Sequence, residues 1–253
     1  MNAVLVDVTD LVEFLQRQES VSGVQRVIAE VAPLLGDFEP TEFVVLDRHR
    51  GLFVALFPAE VSTLIARGAR AQSSATRTEL AQTATTVLDR ARSADSVDMS
   101  SGVTLVFLGA LWINDALMMA ARLAHLQGAA IVSLLYDLTP VIEQGHTAAV
   151  NRLFERYLNL VLQCADRVPA ISQSSRRDFE DYARSRSLVA PQGIATGLPC
   201  GLSPNDRDLA RAPWPRDYAL FVGTVEARKD HIVAFRAWQQ LIEKLGADHV
   251  PDL

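Results

Sequence analysis

The chain is expected to be an α/β protein: a doubly wound parallel sheet of Rossmann-like type, followed by the first β–α unit of a second such domain. Three observations predict this. Short apolar runs alternate with amphipathic stretches from residue 3 to about residue 182. Runs such as Ala3-Val4-Leu5-Val6 and Thr104-Leu105-Val106-Phe107-Leu108 are almost wholly apolar, as strands buried on both faces are. A proline-rich stretch, 199–217, is followed by a restart of the same strand–loop–helix pattern.

Each element has its own signal. Residues 3–8 read as the first strand, with Asp7 at its end. Ser22-Gly23 opens a helix with apolar residues at Val24, Val27, Ile28, Val31, Leu34 and Leu35; Ser22 is its candidate cap and Gly36 its stop. Residues 43–46 are a second strand. Residues 58–101 hold no aromatic residue and are rich in Ala, Ser, Thr and Arg, which suggests two polar-faced helices at 59–70 and 76–93 with a flexible link. The alternation then resumes: a strand at 104–108, a helix at 114–127 closed by Gly128, a strand at 130–135, and a loop holding Asp137, Pro140 and Gly145. A long amphipathic helix at 146–164, a strand at 167–171, and a helix capped by Ser172 complete the domain.

The expected organisation is therefore a first domain at 1–198, a linker at 199–217 and the start of a second domain at 218–253. That last part reads as a strand at 218–222, a loop at 223–230, a helix to about 245 and the run-in to another strand. One strand, one helix and part of a second strand do not make a domain, so the sequence is expected to stop inside one.

Composition narrows the function. Twenty-four Lys and Arg face 30 Asp and Glu, a net charge of −6, which argues against a dedicated nucleic-acid binder. With 49% hydrophobic residues the chain has the apolar content of a folded domain, so disorder is excluded as its main state. No apolar run reaches the ~18 residues of a membrane span, and Asp7 and Asp10 interrupt any signal-peptide core. The expectation is a cytoplasmic protein, with room for peripheral contact at the inner face of a membrane. Cys164 and Cys200 have no ligand-like spacing and read as free thiols. The five histidines are scattered without a zinc-type pair. Asp206-Arg207-Asp208 has a metal-binding look, but it sits in the proline-rich linker and is discounted. No P-loop and no Gly-x-Gly-x-x-Gly follow the first strand, which weakens ATPase and NAD readings.

The segment with the most chemistry is Phe221-Val222-Gly223-Thr224-Val225-Glu226-Ala227-Arg228-Lys229-Asp230-His231. A strand ends at a glycine, a loop carries Arg-Lys, and a helix begins. Helix N-termini favour anions, and Arg and Lys beside one can add charge-assisted hydrogen bonds to a diphosphate. An ordinary β–α turn with solvated charges reads equally well from chemistry alone.

This segment resembles the start of the second domain in family-4 (group 1) retaining glycosyltransferases of the GT-B fold. It is similar to a mannosyltransferase-like branch of bacterial polysaccharide synthesis, whose pattern is Val-Gly-Thr-x-Glu-x-Arg-Lys-Asn-His; Asp230 stands here for Asn. The resemblance implies that Lys229 and Arg228 grip the donor diphosphate, with Gly223, Thr224 and Glu226 around the donor. The family's usual Arg directly after the glycine is Thr224 here. Asp7-Val8-Thr9 followed by Ser22-Gly23-Val24-Gln25-Arg26 resembles the family's first strand and its Thr/Ser-Gly-Ile-x-Arg motif, in which Gly23 and Arg26 face the cleft; a plain helix cap with a surface Arg is the alternative. Tyr136-Asp137-Leu138-Thr139-Pro140 resembles the His-Asp-x-x-Pro loop, with Tyr136 where many relatives carry His. A tyrosine is a poor proton carrier near neutral pH. Asp137 is then a candidate for acceptor binding, or simply a turn residue before Pro140. The stretch from Asp166 to Phe179 resembles the family's strand–cap–helix with Ser172 at the ligand-side loop, where a bare cap is the alternative reading.

Together these resemblances imply transfer of a sugar from a nucleotide-diphosphate donor to a glycan or lipid-linked acceptor with retention, without cofactor or metal. The family's Glu-x7-Glu donor motif is missing from residues 1–253, so the chain alone is expected to be inactive. Two other classes stay open: a non-catalytic glycan-binding partner, and a GT-B-like nucleotide-sugar epimerase or phosphorylase.

Overall fold

The computed structural model describes residues 3–18, 23–36, 40–67, 74–143, 146–198, 215–223, 225 and 229–253. The chain forms two compact units, Met1–Gly201 and Leu202–Leu253. The first is α/β. Its sheet has the order β3-β2-β1-β4-β5, made of β1 (Ala3–Asp7), β2 (Thr41–Asp47), β3 (Leu52–Ala55), β4 (Val103–Phe107) and β5 (Ala130–Ser133). Only β3 runs antiparallel; it returns along β2 after a turn at Gly51. The remaining pairs are parallel, with Val4 opposite Thr41 and Thr104, and Thr104 opposite Ala130. Single parallel bridges extend the sheet beyond β5, from Val132 and Leu135 to Arg167 and Ala170, and from these to Gln192 and Ala195.

Residues alternate across the sheet, so neighbours enter opposite cores. Leu5, Val44, Leu46, Leu105, Phe107 and Ile131 face one core. It is closed by α5 (Asp115–Gln127), α7 (Ala148–Cys164) and Phe179 of α8 (Gln173–Ser185). Val6, Val45, Val54 and Val106 face the other, closed by α1 (Thr9–Arg17), α2 (Gly23–Leu35) and α4 (Ser74–Ala91). Phe179 and Tyr157 are fully buried; a side chain such as Phe179 contributes roughly 1.5–3 kcal/mol by burial.

The helix signals act locally as the sequence suggests. The Asn114 side chain accepts from the Leu117 N–H at 3.2 Å and caps α5, and Gly128 ends that helix at φ 109°, a conformation that favours glycine. Thr147, rather than His146, caps α7 by accepting from the Val150 N–H. Differences fall in short or merged elements and at 167–171, where the expected strand is present only as single bridges at Arg167 and Ala170. The helix α1 follows β1 after a single residue, so Val8, Leu11, Val12 and Leu15 continue the apolar run of the strand, and all four are buried. Where one helix is expected over 59–70, the chain forms α3 (Pro58–Val61) and a π turn at Ser62–Ala66. A short helix, α6 (Thr139–Ile142), occupies the loop after β5. Residues 68–73 between the polar-faced helices, the Ser22 cap, Gly145, Cys200, and the linker as far as residue 214 with Asp206-Arg207-Asp208 lie outside the described residues.

In the second unit, α9 runs His231–Leu245. Tyr218 forms a parallel bridge with Asp252, the Ala219 N–H donates to the Asp252 carbonyl at 2.8 Å, and the Trp238 indole donates to the Pro251 carbonyl at 2.7 Å. The expected strand at 218–222 is thus paired at Tyr218 and Ala219; no ladder extends it among the described residues.

Candidate functional site

Strand order reverses at β1, with β2 on one side and β4 on the other. In open α/β sheets the crevice at the carboxyl ends of such strands binds ligands. The residues there are polar and buried. Asp7, the last residue of β1, accepts from the N–H and the hydroxyl of Thr9, and Thr9 Oγ1 accepts from the Leu46 N–H at 2.8 Å. Burial pushes the Asp7 carboxyl up to about 7, against the Thr9 hydrogen bonds, which favour the charged form.

Asp10 joins three parts of the chain. Its carboxylate oxygens each accept from Gln25 Nε2 at 2.9 Å, and Oδ2 also accepts from the Ala110 N–H at 2.9 Å. Burial raises its pKa, while the Ala110 and Gln25 bonds lower it. Gly109 makes this approach possible: a Cβ there would lie 2.9 Å from Ile28 Cδ1 and 3.0 Å from Asp10 Oδ2. Glu13, one turn further along α1, pairs through both oxygens with the Arg48 guanidinium.

The first-unit residues singled out from sequence gather on this rim. Gln25 holds the first turn of α2 at the end of β1, and that turn carries Gly23 and Arg26, both exposed. The Tyr136 hydroxyl donates to the Leu108 carbonyl at 2.7 Å, in the loop that continues to Gly109 and Ala110. Its ring meets Trp112 edge-on at 5.9 Å, and Trp112 also contacts Phe154 and Tyr157. Tyr136 is buried, and that burial, with the charge of Asp10, lifts its pKa well above the ordinary phenol range. This phenol ties two loops together. Asp137 is exposed, and one of its oxygens accepts from the Thr139 N–H at 3.0 Å, closing the turn before Pro140. Ser172 accepts from the Ser175 N–H at 3.0 Å and caps α8; Ile171 beside it donates to the Leu135 carbonyl at 3.0 Å.

In the second unit, Gly223 and Lys229 are exposed and close together: a Cβ on Gly223 would lie 3.7 Å from Lys229 Cγ and Cδ. Phe221 packs edge-on against His231 at 4.6 Å. Asp230 precedes α9 at φ 50° and makes no side-chain cap. Thr224, Glu226 and Arg228 lie outside the described residues.

Asp10, Gln25 and Gly109 are the site residues that sequence reasoning missed. The available signal was a second acidic residue three positions after Asp7, inside an otherwise apolar stretch. Among the described residues no group of three or more His, Cys, Asp or Glu could hold a metal ion, and no helix is long and apolar enough to cross a membrane. No family model, no curated protein and no solved structure matches the chain.

Proposed function

We propose that the chain carries an acceptor-side domain and a donor-side β–α unit of a GT-B retaining glycosyltransferase in cell-surface polysaccharide synthesis. The reaction would move a sugar from a nucleotide-diphosphate donor to a glycan or lipid-linked acceptor. The observation that carries the reading is the connected rim of the first unit. One path runs from Tyr136 to the Leu108 carbonyl, through Gly109 and Ala110 to Asp10, and on to Gln25 in the turn that bears Arg26. Two motifs that resemble the family's cleft motifs, more than 100 residues apart, thus meet at the switch point of the sheet.

In this reading Arg26 donates to acceptor phosphate or hydroxyl groups and the exposed carboxylate of Asp137 accepts from acceptor hydroxyls, while Tyr136 and Asp10 position the loops that carry them. Lys229 and Arg228 supply positive charge to the departing diphosphate during front-side displacement, and preorganised charge of this kind lowers the barrier without reorganisation. The test is a transfer assay on the protein that carries this chain in its native frame. It uses a panel of nucleotide-diphosphate sugars, each with and without a polyprenyl-linked saccharide. A glycosylated acceptor with the donor's anomeric configuration is expected. Turnover that needs no acceptor would point to an epimerase or phosphorylase, and a protein inert with every pair would remove the transferase reading.

A further inference from the structure

We propose that Trp112 is a sugar-binding residue: its indole is the platform for a neutral pyranose ring of the acceptor, and Asp137 takes that ring's hydroxyls. Trp112 sits in the short helical turn Leu111–Ile113 that follows β4. The backbone of this turn is fixed. Asp10 accepts from the Ala110 N–H at 2.9 Å, the Leu111 N–H donates to the Gly109 carbonyl at 3.0 Å, and the Ile113 N–H donates to the Ala110 carbonyl at 3.1 Å.

Four aromatic rings meet at this turn. Trp112 lies 5.9 Å from Tyr136, 5.5 Å from Phe154 and 5.3 Å from Tyr157, each contact tilted or edge-on. Tyr136, Phe154 and Tyr157 are buried, and of the four only Trp112 is part-exposed. Its indole N–H has no partner among the described residues and opens to solvent. An indole held by three neighbours with its one donor left open suits a ligand that is apolar on one side and polar at its edge. Ile113 beside it is 56% exposed and widens the apolar surface.

Asp137 adds the acceptor. It follows Tyr136, is exposed, and uses only one oxygen, which accepts from the Thr139 N–H. Its charge reaches the aromatic cluster. Burial pushes the Tyr157 phenol up to about 12, the Ser133 hydrogen bond opposes the shift, and the Asp137 charge adds to it. No cation pairs with Asp137 among the described residues.

These groups select the occupant. A pyranose presents C–H groups on its face and hydroxyls around its rim. The face matches the aromatic ring, and the hydroxyls both donate to the carboxylate and accept from the indole. A prenyl chain would leave both polar groups unmatched, and a nucleotide would bring its phosphates to the unpaired Asp137 charge. The inference rests on the acceptor-side reading of the rim and adds the residue that recognises the sugar itself.

The experiment is proton–nitrogen NMR on the 253-residue chain. Its three tryptophans give three indole signals, and Trp112→Phe identifies that of Trp112 by removing it. The methyl glycosides of mannose, glucose, galactose and N-acetylglucosamine are titrated separately, and farnesyl phosphate is the lipid probe. At least one glycoside is expected to move the Trp112 signal saturably and to leave the signals of Trp214 and Trp238 in place. In the variants, amide shifts at 108–113 and 137–139 report the affinity. Trp112→Leu should bind about tenfold more weakly, and so should Asp137→Asn. Trp112→Phe keeps a ring and loses one donor, so it should weaken binding about threefold. Thermal unfolding by circular dichroism checks the fold, and the exposed Asp137→Asn change carries the test if Trp112→Leu unfolds. No saturable shift with any glycoside would overturn the proposal. So would affinity unchanged in Asp137→Asn and in a folded Trp112→Leu, or a Trp112 signal that moves with farnesyl phosphate alone. Glycoside binding at Trp112 in a protein that transfers no sugar would keep this inference and remove the transferase reading. Transfer whose acceptor KM is unmoved by Trp112→Phe and Asp137→Asn would do the reverse.

Discussion

Replacing Asp7 by Asn should change how stability depends on pH. The carboxyl is buried at the end of β1, and its pKa rises from 3.8 to about 7 in the fold. The folded chain therefore holds a proton that the unfolded chain has released between those values. A group raised in this way contributes stability that is complete below the unfolded pKa and is lost as pH rises through the folded one. At 1.36 kcal/mol for each pH unit in that window, wild type should lose roughly 3 kcal/mol from this group alone between about pH 5 and pH 8. Asn cannot ionise, and its side-chain oxygen can still accept from the Thr9 N–H and hydroxyl that hold Asp7. Urea unfolding of both proteins, followed by circular dichroism across that range, measures the difference. Subtracting the variant's profile removes every other titrating group. The wild-type minus variant stability should fall by roughly 3 kcal/mol from about pH 5 to pH 8. Parallel profiles would refute the reasoning, because they would mean that Asp7 ionises in the fold without penalty.

Three further outcomes follow from the same geometry. Gly109→Ala puts a methyl group 2.9 Å from Ile28 Cδ1 and 3.0 Å from Asp10 Oδ2; it should destabilise by about 1–3 kcal/mol in chemical denaturation, and an unchanged midpoint would contradict the close approach. Ser172→Ala removes the oxygen that caps α8 and should cost about 1 kcal/mol, with earlier amide exchange in the first turn of that helix. Lys229→Ala in the transferring protein should lower turnover about a hundredfold, comparable to losing one preorganised donor, and full turnover in that variant would remove its role at the diphosphate.

The parts of the fold that were legible in the sequence are those with one dominant local signal. β1, β4 and β5 are buried on both faces and so appear as apolar runs. α5 carries both of its boundaries, Asn114 and Gly128, in sequence. Elements without such a signal were harder to see. In α1 the apolar positions merge with those of β1. β3 has four residues and, among the described strands, pairs with β2 alone. The segment around Gln192 and Ala195 joins the sheet through single bridges and contains Gly193, so no apolar run marks it.

The site was legible in part for a related reason. Gly23, Arg26, Tyr136, Asp137 and Ser172 stand at strand ends and helix starts, which sequence patterns mark well. The contact that joins them does not leave a local pattern. Asp10 and Ala110 are a hundred positions apart, and Gly109 has no feature in sequence that distinguishes it from a turn glycine. Tyr136 shows the opposite limit: its position in the motif suggests chemistry, while its burial and its hydrogen bond to the Leu108 carbonyl leave no mark in the sequence.

The most direct test of the central claim is amide hydrogen exchange on the 253-residue chain with and without a polyprenyl-diphosphate-linked saccharide. Slower exchange is expected at 23–26, 108–113 and 135–139, the rim at the carboxyl ends of β1, β4 and β5, with the rest of the first sheet unchanged. Saturating acceptor that leaves this rim unprotected, or protects a different surface alone, would contradict it.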